Sequence, residues 1–522
     1  MAFICMAFSV HAQNKYAVLI TGDYAAKEPE IPLSEQLMSS LNGKQAIEPR
    51  WTDIVTAQPS GYAVDANGDV EISSAEGLAW LISVVNGLNG CEPYDFDGRI
   101  VRLTADIDLE EDGLRLFSPI GSSEHRFMGT FDGNGHSIDG LCMIFNEYYV
   151  DNEDEMRIDM GLFGYLYHGT VKNLSLNSGF YSYGHPFNHT TGTYELYYDA
   201  LVAAVADSLS TVENCYCRFR VSELVGNAHP AGTYMGAVVG LNRNSTVRNC
   251  AYEMDEYSQC ATVDVAGLVL RNLSEGGYAD AVVENCYFYG ALMGSYSAEN
   301  MGGIVCFNET ASDNRGKKAM VRNCYSELLE PLYGFRDKGC IVAYNSEGSL
   351  VENCFADLRG QYSSTGLFGT DNGETARCTD FVPSGNGGML SSPITCDEMT
   401  SIDLCKVLNY WIYDKGGEDM YHPWTCGQYD IPEFDFSIAS SHENEAVPVL
   451  VYPNPTANSL KINISGGAEI ESVSLFDVSG RLVKAQQSGF GCIDISGLAP
   501  GMYVMKVTLD DGKVFEEKIV KE

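Results

Sequence analysis

The pentapeptide VENCY, Val283 to Tyr287, returns in near-copies through the middle of the chain: VKNLS from Val171, VENCY from Val212, VRNCA from Val247, VRNCY from Val321 and VENCF from Val351. The asparagines of these copies, Asn173, Asn214, Asn249, Asn285, Asn323 and Asn353, are 41, 35, 36, 38 and 30 residues apart. A period of that size reads as a stack of similar units, each able to bury its apolar face only against its neighbours. A glycine-led apolar run precedes most copies: GLFG at Gly161, MGAVVGLN at Met235, AGLVLRN at Ala266, GGIVCFN at Gly302 and GCIVAYN at Gly339, with GLFGTDNG at Gly366 after the last. One unit is therefore two short apolar segments divided by a turn rich in Asn, Ser and Gly.

These segments are short and rich in Val, Ile and aromatics, as strands are. In VENCYCRFRV the residues after Asn214 alternate, with Cys215, Cys217, Phe219 and Val221 apolar and Arg218 and Arg220 charged. The cysteine position therefore points inward and the residue after it outward. Before the asparagine, Val precedes Lys, Glu or Arg in every copy and so also points inward. Val and Cys stand three apart, which one flat strand cannot place on one face. The chain must bend at the asparagine, a residue that tolerates left-handed backbone angles. The expected fold class is all-β: a right-handed parallel β-helix with helical end caps, followed by a small antiparallel β-sandwich.

Two segments have the spacing of cap helices. SSAEGLAWLISVVNGLNG, from Ser73, offers Ser N-caps, an early Glu, apolar Leu78, Leu81, Ile82 and Val85, and Gly87 as a stop. CDEMTSIDLCKVLNYWIYDKGG, from Cys396, follows the last repeat. An acidic, Ser-rich stretch, Ser437 to Val447, then separates the body from a run of short alternating strands. The expected division is 1–13 signal peptide remnant, 14–60 short N-terminal segment, 61–433 repeat body, 434–448 linker and 449–522 C-terminal domain.

With 71 acidic and 32 basic residues the net charge is −39, which argues against nucleic acid and anionic membranes as partners. MAFICMAFSVHAQ combines an apolar run with Val10-His11-Ala12, fitting signal cleavage after Ala12, although it lacks the usual basic n-region. No other segment approaches the ~20 apolar residues of a membrane span. The expected product is an exported monomer.

The body resembles proteins with GLUG-type repeats, on the Gly-apolar-apolar-Gly strand, the V-x-N-C-[YF] motif and the preceding run from Phe117 to Leu141. Members are mostly large secreted or surface proteins, read as β-helices and sometimes joined to peptidases or adhesins, so the resemblance implies a scaffold more than a reaction. The tail resembles the type A sorting domain of the type IX secretion system, on YPNP at Tyr452 to Pro455, SLFDVSGRLV at Ser474 to Val483 and LAPGMYVMKV at Leu498 to Val507. That resemblance implies passage across the outer membrane by the type IX machinery and its sortase, an extracellular or surface-anchored product, and a sorting signal at Pro453, Asn454, Pro455, Gly480, Gly501 and Tyr503. KYAVLITGD, from Lys15, resembles the opening strand of a caspase-like peptidase, but the remainder of such a domain has no room before the repeats.

For chemistry, the cysteine column Cys215, Cys250, Cys286, Cys324 and Cys354 invites disulfide or metal readings. Stacked coils bring equivalent Cα atoms to about 4.8 Å, but their Cβ vectors run parallel, and a linear ladder cannot surround zinc. Packing as small hydrophobes is expected instead. The outward position after each Cys holds Tyr216, Ala251, Tyr287, Tyr325 and Phe355, and the four aromatics are a candidate platform for a glycan or host protein whose bland reading is stacking beneath a loop. No catalytic residue, metal site or cofactor is assigned. Acidic residues are scattered, His185 and His189 sit in a Gly/Pro loop, and Asp132-Gly-Asn-Gly-His136 reads as a tight turn. The expected function is adhesion or glycan and host-protein binding. The alternative is a carbohydrate-active enzyme on a β-helix, which would need a groove with converging carboxylates.

Overall fold

The computed structural model describes residues 50–522 apart from short segments, the longest being 145–158, 220–233, 382–400 and 437–448. The expected signal peptide, the segment 14–49, and His185 and His189 lie outside the described residues.

Residues 62–381 form two parallel sheets whose neighbouring strands come from successive repeats. One sheet is built from the strands on either side of the motif asparagine. Its first half runs through Val70–Ile72, Ile100–Leu103, Thr130–Asp132, Thr170–Leu176, Thr211–Phe219, Thr246–Arg248, Ala281–Glu284, Ala319–Arg322, Leu350–Glu352 and Glu374–Ala376. The second sheet stacks the glycine-led runs, from Phe163–Tyr167 through Ala203–Asp207, Val239–Arg243, Val269–Ser274, Val305–Thr310 and Lys338–Asn345 to Gly366–Asp371. The chain is thus an all-β, β-helix-like stack with the core between the sheets.

All six motif asparagines adopt positive φ, between 51° and 54°. This is the bend that the parity of Val and Cys required: Val171, Val212, Val247, Val283, Val321 and Val351 are fully buried, and so are the five column cysteines. The bend also aligns the asparagine side chains. Asn214 Nδ2 donates to Asn173 Oδ1 at 3.0 Å, and the same bond repeats from Asn249 to Asn214, Asn285 to Asn249, Asn323 to Asn285 and Asn353 to Asn323 at 2.7–2.9 Å. At its N-terminal end Asn173 donates to the carboxylate of Asp132 at 3.0 Å. A second ladder with the opposite polarity runs along the other sheet, from Asn242 through Asn272, Asn308 and Asn345 to Asp371 Oδ1. Each ladder therefore ends on a group that can only accept.

The outward residue after each motif valine forms a third column. In register, Glu71, Arg102, Asp132, Lys172, Glu213, Arg248, Glu284, Arg322 and Glu352 follow one another, with the sign alternating at every step. Stacked counterparts lie about 4.8 Å apart, so like charges in neighbouring coils would repel directly.

The glycine-led runs are explained by close approach. A Cβ on Gly303 would lie 1.8 Å from the Cys340 carbonyl oxygen, and one on Gly339 would lie 1.9 Å from that of Val342. No side chain fits where the sheet turns against the coil above.

Helix α1, Trp51–Ile54, and helix α2, Ala75–Asn86, belong to the N-terminal end of the stack. The Ser74 side chain accepts from Gly77 N at 3.2 Å and Gly87 closes α2 in a left-handed conformation, as the sequence pattern expects. Leu78, Leu81, Ile82 and Val85 are buried in the solenoid core, together with Trp51 and Val55 of the first helix and its cap. The strand Tyr62–Val64 pairs antiparallel with Val70–Ile72, breaking the run of parallel pairing at this end.

Helix α3, Ser401–Asp414, departs from the expectation. It lies along the side of the stack: Leu404, Cys405, Leu408, Trp411 and Ile412 pack on Ala251, Tyr287, Tyr325 and Phe355, which belong to four successive coils. The reason is chemical. An outward column of large aromatics is itself an apolar face, and the buried residues of α3 at spacings of three and four match it. The last coil meanwhile leaves Glu374–Ala376 exposed.

The C-terminal residues form two antiparallel sheets. One pairs Val449–Tyr452, Ser459–Ile464 and Ile493–Asp494, and the other orders Leu482–Gln486, Ile470–Asp477, Gly501–Leu509 and Val514–Lys521. They share a core of Leu460, Ile462, Val473, Leu475, Ile493, Met505, Val507 and Ile519.

Asn285 is the central rung, with bonds to Asn249, Asn323, His422 O and Trp424 Nε1. Asn285→Ala should cost about 3–5 kcal/mol in denaturant unfolding, from orphaned buried groups plus left-handed strain. Asn285→Gly, which removes the strain but not the lost bonds, should cost about 1 kcal/mol less.

Candidate binding edge and carboxylate cluster

The structure places the predicted aromatic column beneath a cover. Tyr287 and Tyr325 are 1% exposed and Phe355 5%, while Tyr216 is half-buried. Beyond α3, the described residues among 420–426 and 432–436 cross the column. Tyr287 packs edge-on to Phe434 at 5.3 Å and lies 6.1 Å from Trp424, and Tyr216 lies 5.1 Å from Phe436. The crossing segment is fixed to the asparagine ladder: Asn249 Nδ2 donates to Met420 O, Asn285 Nδ2 to His422 O, and Trp424 Nε1 to Asn285 Oδ1. Tyr216 and Tyr287 spend their hydroxyls on Glu253, at 2.8 and 2.6 Å, and burial pushes the Tyr287 phenol well above its ordinary range. The expectation of an accessible platform at Tyr216, Tyr287, Tyr325 and Phe355 is therefore corrected: the same aromatic character that suggested a ligand attracts the chain's own helix.

The cysteines are buried free thiols. Each donates within its own turn, as Cys250 Sγ does to Arg248 O at 3.2 Å and Cys286 Sγ to Glu284 O at 3.1 Å. Burial drives the thiols of Cys215, Cys286 and Cys354 well above their ordinary range, while at Cys250 and Cys324 burial is outweighed by hydrogen bonds from the neighbouring column thiols, which lower them. All five are fully buried, so they pack the core and no reagent reaches them in the native chain. Among the described residues no group of three or more His, Cys, Asp or Glu side chains is placed to hold a metal ion. Asp132 to His136 forms a tight turn, with Asp132 Oδ1 accepting from Asn134 N at 3.0 Å.

Two constellations missed in the sequence emerge once the coils are stacked. The first is acidic. Asp108 and Asp139 face each other in register on adjacent coils, flanked by Asp106 and Glu110. Asp106 Oδ1 accepts from Ser137 N at 2.9 Å and lies 3.1 Å from His136 Nδ1; these bonds, the first above all, hold its carboxyl below the ordinary range. Burial, reinforced by neighbouring carboxylates, raises Asp139 and Glu110. Carboxylates pushed in opposite directions are what acid–base chemistry requires.

The second lies on the turn edge and outer face of the glycine-led sheet. Arg126 lies over the rings of Tyr167 at 4.6 Å and Tyr165 at 5.5 Å, and Tyr167 stacks on His168 at 4.4 Å with rings 28° apart. Arg126 and His168 are exposed and Tyr167 is half-buried. One coil on, Asp207 accepts from Tyr165 Oη at 2.7 Å and from Arg243 Nε at 3.0 Å. Burial would raise the Asp207 carboxyl, but the bonds from Arg243 and Tyr165 outweigh it and hold the group below its ordinary range. Tyr278, 55% exposed, reaches back along the edge to place its hydroxyl 3.0 Å from Ser208 Oγ. The edge thus presents Tyr278, Tyr167 and His168 beside two arginines. Periodicity marked none of these residues, because Arg126, His168 and Tyr278 come from turns, and Tyr165, Tyr167, Asp207 and Arg243 from outward positions of the glycine-led strands that the repeated motif does not include.

Of the sorting residues, Tyr503 is buried in the tail core with its hydroxyl donating to Ala499 O at 2.8 Å, and Gly501 opens its strand at φ 153°. Pro453, Asn454, Pro455 and Gly480 lie outside the described residues. Residues 450–522 match the family model of the secretion system C-terminal sorting domain. The tail is a type IX sorting domain. It marks the protein for the type IX secretion machinery, for secretion and for attachment at the cell surface. No helix among the described residues is long and apolar enough to cross a membrane. The chain is also 24% identical over 187 residues, 35% of its length, to the ulvan lyase NLR42 of Nonlabens ulvanivorans. It spans about a third (34%) of that relative's length.

Tyr287→Ala should lower unfolding free energy by about 3–5 kcal/mol, as emptying a buried aromatic site does, while leaving any surface binding of the folded protein intact. A thiol titration should find the column cysteines unreactive in the native chain and fully reactive in denaturant.

Proposed function

We propose that this protein is a surface-delivered, non-catalytic glycan-binding protein. In this reading residues 61–433 form a right-handed parallel β-helix of the GLUG-repeat type, and the linker at 434–448 joins it to the sorting domain of 449–522, on which the sortase acts. The observation that carries the reading is the Tyr167–His168 stack beneath Arg126, with the Tyr278 hydroxyl reaching Ser208 one coil on. Aromatic faces offer sugar rings a flat apolar partner, and the flanking Arg126 guanidinium supplies polar groups to orient it. The edge lies on turns carried by a rigid stack, where recognition usually resides. Of the long connection 177–199, Gly179–Ser182 adds a strand beside Leu141–Ile144, which extends the scaffold on which such turns rest.

A carbohydrate-active enzyme is the second reading, favoured by Asp106, Asp108, Glu110 and Asp139 and by the similarity to an ulvan lyase. A raised carboxyl would serve as the acid and a depressed one as the base or nucleophile. The two readings separate on one pair of variants. Binding proper to the edge should fall at least tenfold on glycan arrays in Tyr167→Ala, and remain unchanged in Asp139→Asn. Turnover of any polysaccharide that disappears in Asp139→Asn would replace the binding reading with the enzymatic one.

Asp139→Asn also has a stability signature. A carboxyl whose folded pKa is raised costs stability when ionised, and that cost is absent below its unfolded pKa of about 4. The variant should therefore melt higher than the parent at neutral pH and lose that advantage as pH falls through the carboxylate range.

A further inference from the structure

Resting on the glycan-binding reading, we infer that the edge selects an acidic sugar, whose carboxylate or sulfate is held by the guanidinium of Arg126. Arginines elsewhere on the two sheets are already spent. Arg243 bonds Asp207 and Tyr165 and reaches Glu275, Arg248 holds Glu213, Arg271 holds Glu309 and Arg322 holds Glu284. Arg126 holds no carboxylate among the described residues. Its Nε donates to Ser123 O at 3.2 Å, its guanidinium carbon lies over the Tyr167 and Tyr165 rings, and its two terminal nitrogens bond no other described residue. A guanidinium fixed in plane by ring stacking presents two parallel N–H groups, the geometry that receives a carboxylate or sulfate bidentately.

The ring pair completes the subsite. Tyr167 is covered by Arg126 and by His168, so the exposed His168 ring is the aromatic surface on which a sugar can lie while its charged substituent reaches toward Arg126. His168 holds this position at φ 55°, in a left-handed turn for which Asn244 serves in a later coil. The overall negative charge does not prevent this, because repulsion from distant carboxylates is screened within about 8–10 Å at physiological ionic strength.

The test uses the full chain with three soluble polysaccharides: polygalacturonate, dextran sulfate and unmodified dextran. Binding is measured by calorimetry at low and high salt for the parent, Arg126→Ala and Arg126→Lys. The inference expects at least tenfold tighter binding of one or both charged polymers than of dextran, weakened by salt. Arg126→Ala should abolish that preference and Arg126→Lys should recover part of it, with the melting temperature unchanged because Arg126 is exposed. Polygalacturonate alone as the ligand assigns a carboxylate, and dextran sulfate alone assigns a sulfate. Equal binding of charged and neutral polymers, untouched by Arg126→Ala, overturns the inference while leaving glycan binding standing. Failure of the parent to bind any glycan, on these polymers and on the arrays, overturns both.

Discussion

Every feature of the repeat body depends on one constraint: parallel strands of successive coils pair in register, so each side chain lies about 4.8 Å from its counterpart in the coil above and below. Whatever a column carries must tolerate direct contact with itself. Asparagine does so by donating from one amide to the next. Cysteine does so by being small and turning its thiol back to its own backbone. Charge in the column from Glu71 to Glu352 does so by alternating at every step. The ladders are closed by acceptor-only carboxylates, Asp132 at one end of the first and Asp371 at one end of the second.

The constraint also divides the surface into kinds of site. A column repeated on a coil face is a large uniform surface, suited to docking another part of the chain, and the aromatic column is used that way by α3 and the segment up to Phe436. Turns are freed from the register and differ from coil to coil. Arg126, His168 and Tyr278 come from such positions, as do His136 and Asp106 beside the carboxylate cluster. Chemistry in this molecule concentrates where the repeat relaxes.

This division explains what could be read in the sequence. The bend at the asparagine, the inward cysteines and the helix from Ala75 to Asn86 follow from parity and capping, which are local and periodic. The alternation of charge was within reach too: Lys172, Glu213, Arg248, Glu284, Arg322 and Glu352 follow the motif valines in that order. The burial of Tyr287 and Tyr325 was not, because it depends on a helix more than 70 residues further along the chain. The stacking of Arg126 on Tyr167 was equally hidden, since nothing in the spacing of those two residues indicates that a turn of one coil lies over a strand of another.

The most direct test of the in-register stack is an exchange within the charge column. If Glu213 and Arg248 were an isolated surface pair, Glu213→Arg combined with Arg248→Glu would restore the stability that either single change removes. In a ladder the exchange instead sets a cation at position 213 against Lys172 and an anion at position 248 against Glu284. In-register stacking therefore predicts that the double variant remains destabilised in denaturant unfolding, with a deficit that shrinks as salt is added. A double variant that regains the parent's stability at low salt would contradict it.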